Sequence, residues 1–169
     1  MKKLRRSWLN LDHAVLHSAP QIWQDWLSYP FSLTQYIEHR TGQSVTVQVL
    51  SDQYQLVLDD ERHLFTRPFQ RCRVREVHLC IDNTPVVYAR SILPTTSCTG
   101  INRDLLQIGN KPLGEVLFKK GKAPILLRQI TEIAHIGYGR RSLYQLRGHP
   151  ILITEFFLPT LLEKIELRK

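Results

Sequence analysis

The sequence predicts an α+β fold with one mainly antiparallel β-sheet of about six strands and short helices before and between the strands. Apolar, β-branched segments recur along the chain, and most links between them are too short for a parallel crossover. The 169 residues, 43% of them hydrophobic, suit one domain with a substantial core. We therefore predict a single domain over residues 1–169.

Two short helices are predicted ahead of the sheet. The first starts at Ser18, with Pro20 just inside it, and carries an apolar stripe that includes Trp23 and Trp26. The second opens at Ser32 and stops at Gly42. Two short helices in tandem resemble a lid as much as a core element.

Turn-forming residues separate the predicted strands. In chain order we predict a hairpin from Val45 to Leu58 with its turn at Ser51 to Gln53, a strand pair from Val74 to Ile81 and from Val86 to Leu93, a strand from Leu126 to Ile133, and a hairpin from Gly139 to Pro159. Residues 59–70 read as a loop, Pro112 marks a helix start, and residues 161–169 read as a charged tail.

The last hairpin carries a charge where a core is expected. Ile151, Ile153, Glu155 and Phe157 share one face of its second strand, and the other face is apolar as well. A strand that is apolar on both faces is usually covered on both, so the Glu155 carboxylate would be desolvated. Arg75 likewise lines up with three aliphatic side chains of its own strand. These two charges suggest a dry pocket for a small anion with a hydrogen-bond donor; the alternative is an ion pair between them.

Charge and hydropathy bear on the broad function classes. The net charge is +8, but the positive residues lie at the chain ends, in a loop at 119–122 and singly on strands, without interleaved exposed aromatic residues or a basic helix. We therefore predict no nucleic-acid binding. No run approaches about eighteen apolar residues, which predicts no membrane insertion and a cytoplasmic protein.

Neither the cysteines nor the histidines predict a disulfide or a metal site. Cys72, Cys80 and Cys98 are odd in number and form no CxxC pair, so we expect reduced thiols. His13 and His17 lie four residues apart, but no third ligand accompanies them. We expect no metal.

Three segments of the chain resemble the chorismate pyruvate-lyase family in order and spacing, from about the first helix to Pro159. They are Arg75-Glu76 through Leu79-Cys80 to Ala89-Arg90 and Pro94; Ile108 to Gly114 with Leu117-Phe118; and Gly139-Arg140-Arg141-Ser142 with Thr154-Glu155 and Leu158-Pro159.

The resemblance implies a single antiparallel sheet with a ligand held under helical flaps. It implies conversion of chorismate into 4-hydroxybenzoate and pyruvate, a step that feeds ubiquinone synthesis, with no cofactor. On the family pattern Arg75 and the backbone at Leu113 would hold the ring carboxylate, and Glu155 would face the ring hydroxyl. Leu33, where a relative carries methionine, would belong to the flap. Arg75 and Glu155 would be the catalytic pair.

Two questions stay open at this stage. The second carboxylate of chorismate could bind Arg90, Arg140 or Arg141. The alternative function is a non-catalytic effector-sensing domain of the same fold, although the stretch before the first strand is too short for the DNA-binding domain that such regulators carry in front. We expect a monomer, because no long exposed apolar edge or heptad pattern is visible.

Overall fold

A computed structural model describes residues 7–68, 71–119, 123–134 and 136–166. Its elements, in chain order, are β1 (Leu9–Asn10), α1 (His13–Ser18), α2 (Gln21–Ser28), α3 (Leu33–Thr41), β2 (Thr46–Tyr54), α4 (Asp59–Arg62), β3 (Cys72–Ile81), β4 (Thr84–Pro94), 3₁₀ segments at Thr95–Ser97 and Gly100–Gln107, α5 (Leu113–Leu117), β5 (Ile125–Ile133), β6 (Gly137–Leu146), β7 (His149–Phe157) and α6 (Pro159–Glu166).

The strands form one sheet in the order β1-β5-β6-β7-β4-β3-β2, and every neighbouring pair is antiparallel. The predicted α+β architecture is confirmed, with seven described strands rather than about six. The hairpins β3-β4 and β6-β7 lie where the sequence predicts them. Strand β6 begins well before the apolar run at Leu143, because its first half carries the buried arginines Arg140 and Arg141.

The predicted hairpin from Val45 to Leu58 is wrong. Strand β2 runs straight through the expected turn and pairs with β3 along its whole length, and a register shift between Val49 and Ser51 takes up the extra residue as a bulge. The polar residues that resemble a turn are held by ion pairing instead. The Asp52 carboxylate accepts from Arg73 Nε at 2.5 Å and Nη2 at 2.8 Å.

Two other segments differ from the prediction. The expected loop at 59–70 contains the short helix α4. The expected tail contains α6, in which Leu161 and Ile165 are buried four residues apart on one helix face. Residues 167–169 lie outside the described part of the chain.

Helices α2 and α3 cover one face of the sheet, which places the predicted lid over the strands that carry the site. Trp26, Leu27 and Ile37 are fully buried. They belong to one core cluster with Leu79, Val87 and Phe157 of the strands. Further along the same face, α5 packs on β6 and β7 in a second cluster. No helix in the described residues is long and apolar enough to cross a membrane.

Candidate active site

A pocket lies between the sheet and its helical cover. The space between its lining side chains is about 550 Å³ when the part that opens to solvent is included. Strands β3, β4 and β7 form its floor, α3 and α5 form its cover, and the lining is mainly apolar. All four residues that the sequence singles out line this pocket: Leu33, Arg75, Leu113 and Glu155.

Arg75 enters the pocket from β3. It is 3% exposed, and strand alternation puts it on the same face as Val77, which also lines the pocket. Its Nη1 donates to Asp52 Oδ2 at 3.1 Å and its Nη2 donates to the Lys111 carbonyl at 3.2 Å. Each of these nitrogens carries a second proton, so the guanidinium keeps donors for a ligand. The alternative that Arg75 pairs with Glu155 does not hold, because the Asp52 carboxylate is its ion-pair partner.

Glu155 enters the same pocket from β7, two strands away from Arg75. It is 8% exposed and lies opposite Ala89 of β4 and Arg140 of β6. Its Oε2 accepts from Arg140 Nε at 2.6 Å, while Oε1 has no hydrogen-bond partner in the described residues. One oxygen is therefore fixed by the protein and the other can meet a ligand hydroxyl.

Arg140 anchors this carboxylate to the helical cover. The side chain is fully buried, and its Nη1 donates to the carbonyls of Trp26 and Tyr29, each at 2.8 Å. Burial disfavours the charged form of Arg140, but the Glu155 carboxylate outweighs that penalty, so the pKa of the guanidinium lies above its ordinary value. Arg140 thus joins the floor of the pocket to the turn between α2 and α3.

The other two arginines considered for the second carboxylate point away from the pocket. Arg90 follows Ala89 on β4, so it lies on the opposite face, where it bonds the carboxylates of Glu61 and Glu76. Arg141 follows Arg140 and donates to Asp60 Oδ2 at 2.7 Å. Neither lines the pocket.

Sequence reasoning missed two polar residues of this region. Arg128 of β5 is buried beside Arg140, and its Nη2 donates to the Tyr144 hydroxyl at 3.0 Å. Tyr144 of β6 lines the pocket. Arg128 shares a face of its strand with Ile130, the same signal that identified Arg75, whereas a tyrosine among apolar residues gives no such signal.

The cover closes the pocket with apolar contacts. Leu33 is the first residue of α3, and Ser32 caps that helix by accepting from the Gln35 N–H at 3.4 Å. Leu113 begins α5 directly after Pro112. The first N–H groups of a helix have no acceptor within the helix. The Leu113 N–H can therefore donate an additional hydrogen bond to a ligand that other groups of the pocket already bind.

The three cysteines and the two histidines considered in the sequence analysis do not line the pocket. Cys72, Cys80 and Cys98 are buried, and no disulfide joins them. The rings of His13 and His17 stack with their centroids 4.0 Å apart. The described ranges hold no group of three or more side chains that could bind a metal ion.

Comparison with known proteins gives a consistent result. The chorismate lyase family matches residues 4–167. A probable chorismate pyruvate-lyase of Alcanivorax borkumensis is 39% identical over 96% of this chain and 80% of its own length. The chorismate pyruvate-lyases of Photorhabdus laumondii and Serratia proteamaculans are 33% and 35% identical, each over 90% of this chain and over 88% and 85% of their own lengths. The chain belongs to the chorismate lyase family.

Proposed function

We propose that this protein is a chorismate pyruvate-lyase, which converts chorismate into 4-hydroxybenzoate and pyruvate. The observation that carries the proposal is the arrangement of Arg75 and Glu155, which reach one enclosed pocket from two strands separated by β4. The match to the family over nearly the whole chain supports it.

The proposed binding mode uses both ends of this arrangement. Arg75 and the Leu113 N–H hold the ring carboxylate, since a guanidinium offers two parallel hydrogen bonds and stays charged when buried. Glu155 accepts from the C4 hydroxyl through Oε1, the oxygen that Arg140 leaves open. Leu33 covers the ring from α3.

The reaction needs little covalent help from the protein. The C3–O bond breaks, the C4 hydrogen leaves as a proton, the ring becomes aromatic, and the released enolpyruvate takes up a proton to give pyruvate. Aromatisation drives these steps. The side chains have to fix the ether and the C4 hydrogen in a reactive geometry and hold the charges away from water. A buried Arg140–Glu155 pair suits that task, because it keeps a carboxylate rigid beside C4.

A direct assay tests the proposal. Chorismate is added to the purified protein, the appearance of 4-hydroxybenzoate is followed by its ultraviolet absorption, and pyruvate is reported by lactate dehydrogenase. We expect the two products in equal amounts. Binding of 4-hydroxybenzoate with neither product formed would favour the effector-sensing alternative and refute the lyase proposal.

We further propose that the protein works in the cytoplasm and as a monomer. The proposal of a monomer comes from the sequence, in which no long exposed apolar edge or heptad pattern is visible. Cell fractionation tests the location. Size-exclusion chromatography with light scattering tests the oligomeric state, and a mass near the 19.8 kDa of one chain is the expected result.

A further inference from the structure

The end of the pocket away from Arg75 carries a tyrosine that a buried arginine holds in place. Tyr144 is 2% exposed, lines the pocket and lies on β6, whereas Arg75 lies on β3. In the order β6-β7-β4-β3, the two residues stand on the outer strands, and Tyr144 lies opposite Ile151 of β7, four residues along that strand from Glu155. The proposed roles of Arg75 and Glu155 leave Tyr144 unused.

Arg128 fixes the orientation of the Tyr144 hydroxyl. Its Nε donates to Ser142 Oγ at 2.8 Å, its Nη1 donates to the carbonyls of Ser28 and Tyr29 at 3.1 and 2.8 Å, and its Nη2 donates to the phenol at 3.0 Å. A phenol that accepts one hydrogen bond can still donate its own proton. No acceptor for that proton lies in the described ranges, so the Tyr144 hydroxyl can donate to a ligand in the pocket.

The charges beneath this end of the pocket do not balance. Arg128 and Arg140 both bond the carbonyl of Tyr29, and Glu155 is the one carboxylate within ion-pair distance of either guanidinium in the described residues. Burial and then repulsion by Arg140 lower the pKa of Arg128. An unbalanced buried cation is costly, and an anion nearby reduces that cost.

We propose that Tyr144, oriented by Arg128, binds the carboxylate of the enolpyruvyl group of chorismate. This inference rests on the proposed function. With the ring carboxylate at Arg75 and the C4 oxygen at Glu155, the C3 ether lies next to Glu155. The Tyr144 hydroxyl is held near this region, because its partner Arg128 shares the Tyr29 carbonyl with Arg140, the residue that bonds Glu155. Lys111 also lines the pocket, but its carbonyl bonds Arg75, so it belongs to the end that takes the ring carboxylate.

Substitution of Tyr144 separates substrate from product. Tyr144→Phe removes the hydroxyl and keeps the ring that packs edge-on against Phe118. We expect kcat/KM for chorismate to fall about tenfold or more, as for the loss of one hydrogen bond to a charged group. The inhibition constant of 4-hydroxybenzoate should change less than about twofold, since the product has no enolpyruvyl group.

Two further variants sharpen the test. Tyr138→Phe is the matched control, because Tyr138 lies on the same face of β6 but packs against Trp23 outside the pocket, and we expect no change in kcat/KM. Arg128→Lys keeps the charge and loses the guanidinium fork, so it should reproduce the substrate-specific loss with a smaller effect.

The outcomes are distinct. Wild-type kcat/KM in Tyr144→Phe would overturn the inference, and so would an equal loss of affinity for chorismate and 4-hydroxybenzoate, which would place Tyr144 against the ring. In both cases the wild-type protein still forms pyruvate and the proposed function stands. A wild-type protein that forms no pyruvate would overturn the proposed function, and this inference with it.

Discussion

Removal of the Arg75 guanidinium should weaken the binding of 4-hydroxybenzoate far more than it destabilises the fold. The fold tolerates Arg75→Ala because Asp52 keeps both of its hydrogen bonds from Arg73, so no buried carboxylate is left unpaired. The lost bonds to Asp52 and to the Lys111 carbonyl should cost about 1–2 kcal/mol of unfolding free energy.

The effect on the ligand is larger because Arg75 is buried and the pocket lining is mainly apolar. Two hydrogen bonds from a guanidinium to a carboxylate contribute about 3 kcal/mol or more, which corresponds to roughly a hundredfold or greater rise in the Kd for 4-hydroxybenzoate. Arg75→Lys keeps the charge without the fork, so its Kd should fall between those of wild type and Arg75→Ala.

Isothermal titration calorimetry with 4-hydroxybenzoate measures these affinities, and urea denaturation measures the stabilities. Arg147→Ala is the matched control, since Arg147 pairs with Asp104 and does not line the pocket. Its affinity for 4-hydroxybenzoate should equal that of wild type. A folded Arg75→Ala protein that binds 4-hydroxybenzoate as tightly as wild type would refute the assignment of Arg75.

Three further predictions concern catalysis, packing and the thiols. Glu155→Gln should lower kcat about a hundredfold in the coupled pyruvate assay. It should keep the fold and product binding, because an amide oxygen still accepts from Arg140. An unchanged kcat would rule out a catalytic role for the carboxylate. Gly139→Ala should cost about 1–3 kcal/mol in urea denaturation, because the new Cβ would lie 2.5 Å from Cδ1 of Phe156, and full stability would show that the ring moves freely. Burial raises the pKa of the Cys72 thiol to about 11 from 9.0. The stabilisation that comes from burying the neutral thiol is therefore complete below pH 9.0 and is lost as the pH rises through about 11. In melting curves across that range Cys72→Ala should lose less stability than wild type, and an equal loss would contradict the shift.

The two charges at the centre of the site could be found from the sequence because strand alternation is visible there. Arg75 and Glu155 each stand in a row of apolar side chains, so their faces followed from the period of two. The same alternation explains why Arg90 and Arg141 lie away from the pocket. Each directly follows a residue on the pocket side of the sheet, so its own side chain points to the opposite face.

Other features depend on contacts that no local pattern carries. The pairing of Glu155 with Arg140 follows from the register of β6 against β7, and the role of Asp52 follows from a bulge that the sequence presents as a turn. From the sequence alone Tyr144 resembles a core residue, because its hydrogen bond from Arg128 of β5 is visible only in the structure. Register and bulges are set by the whole sheet, so the sequence alone predicted which residues line the pocket better than it predicted their partners.

The most direct test of the proposed binding mode is a crystal structure with 4-hydroxybenzoate bound. We expect the ring inside the pocket under α3, with the carboxylate on the Arg75 guanidinium and the Leu113 N–H, and the hydroxyl within hydrogen-bond distance of Glu155 Oε1. A ring bound outside this pocket, or bound with its carboxylate turned towards Glu155, would contradict it.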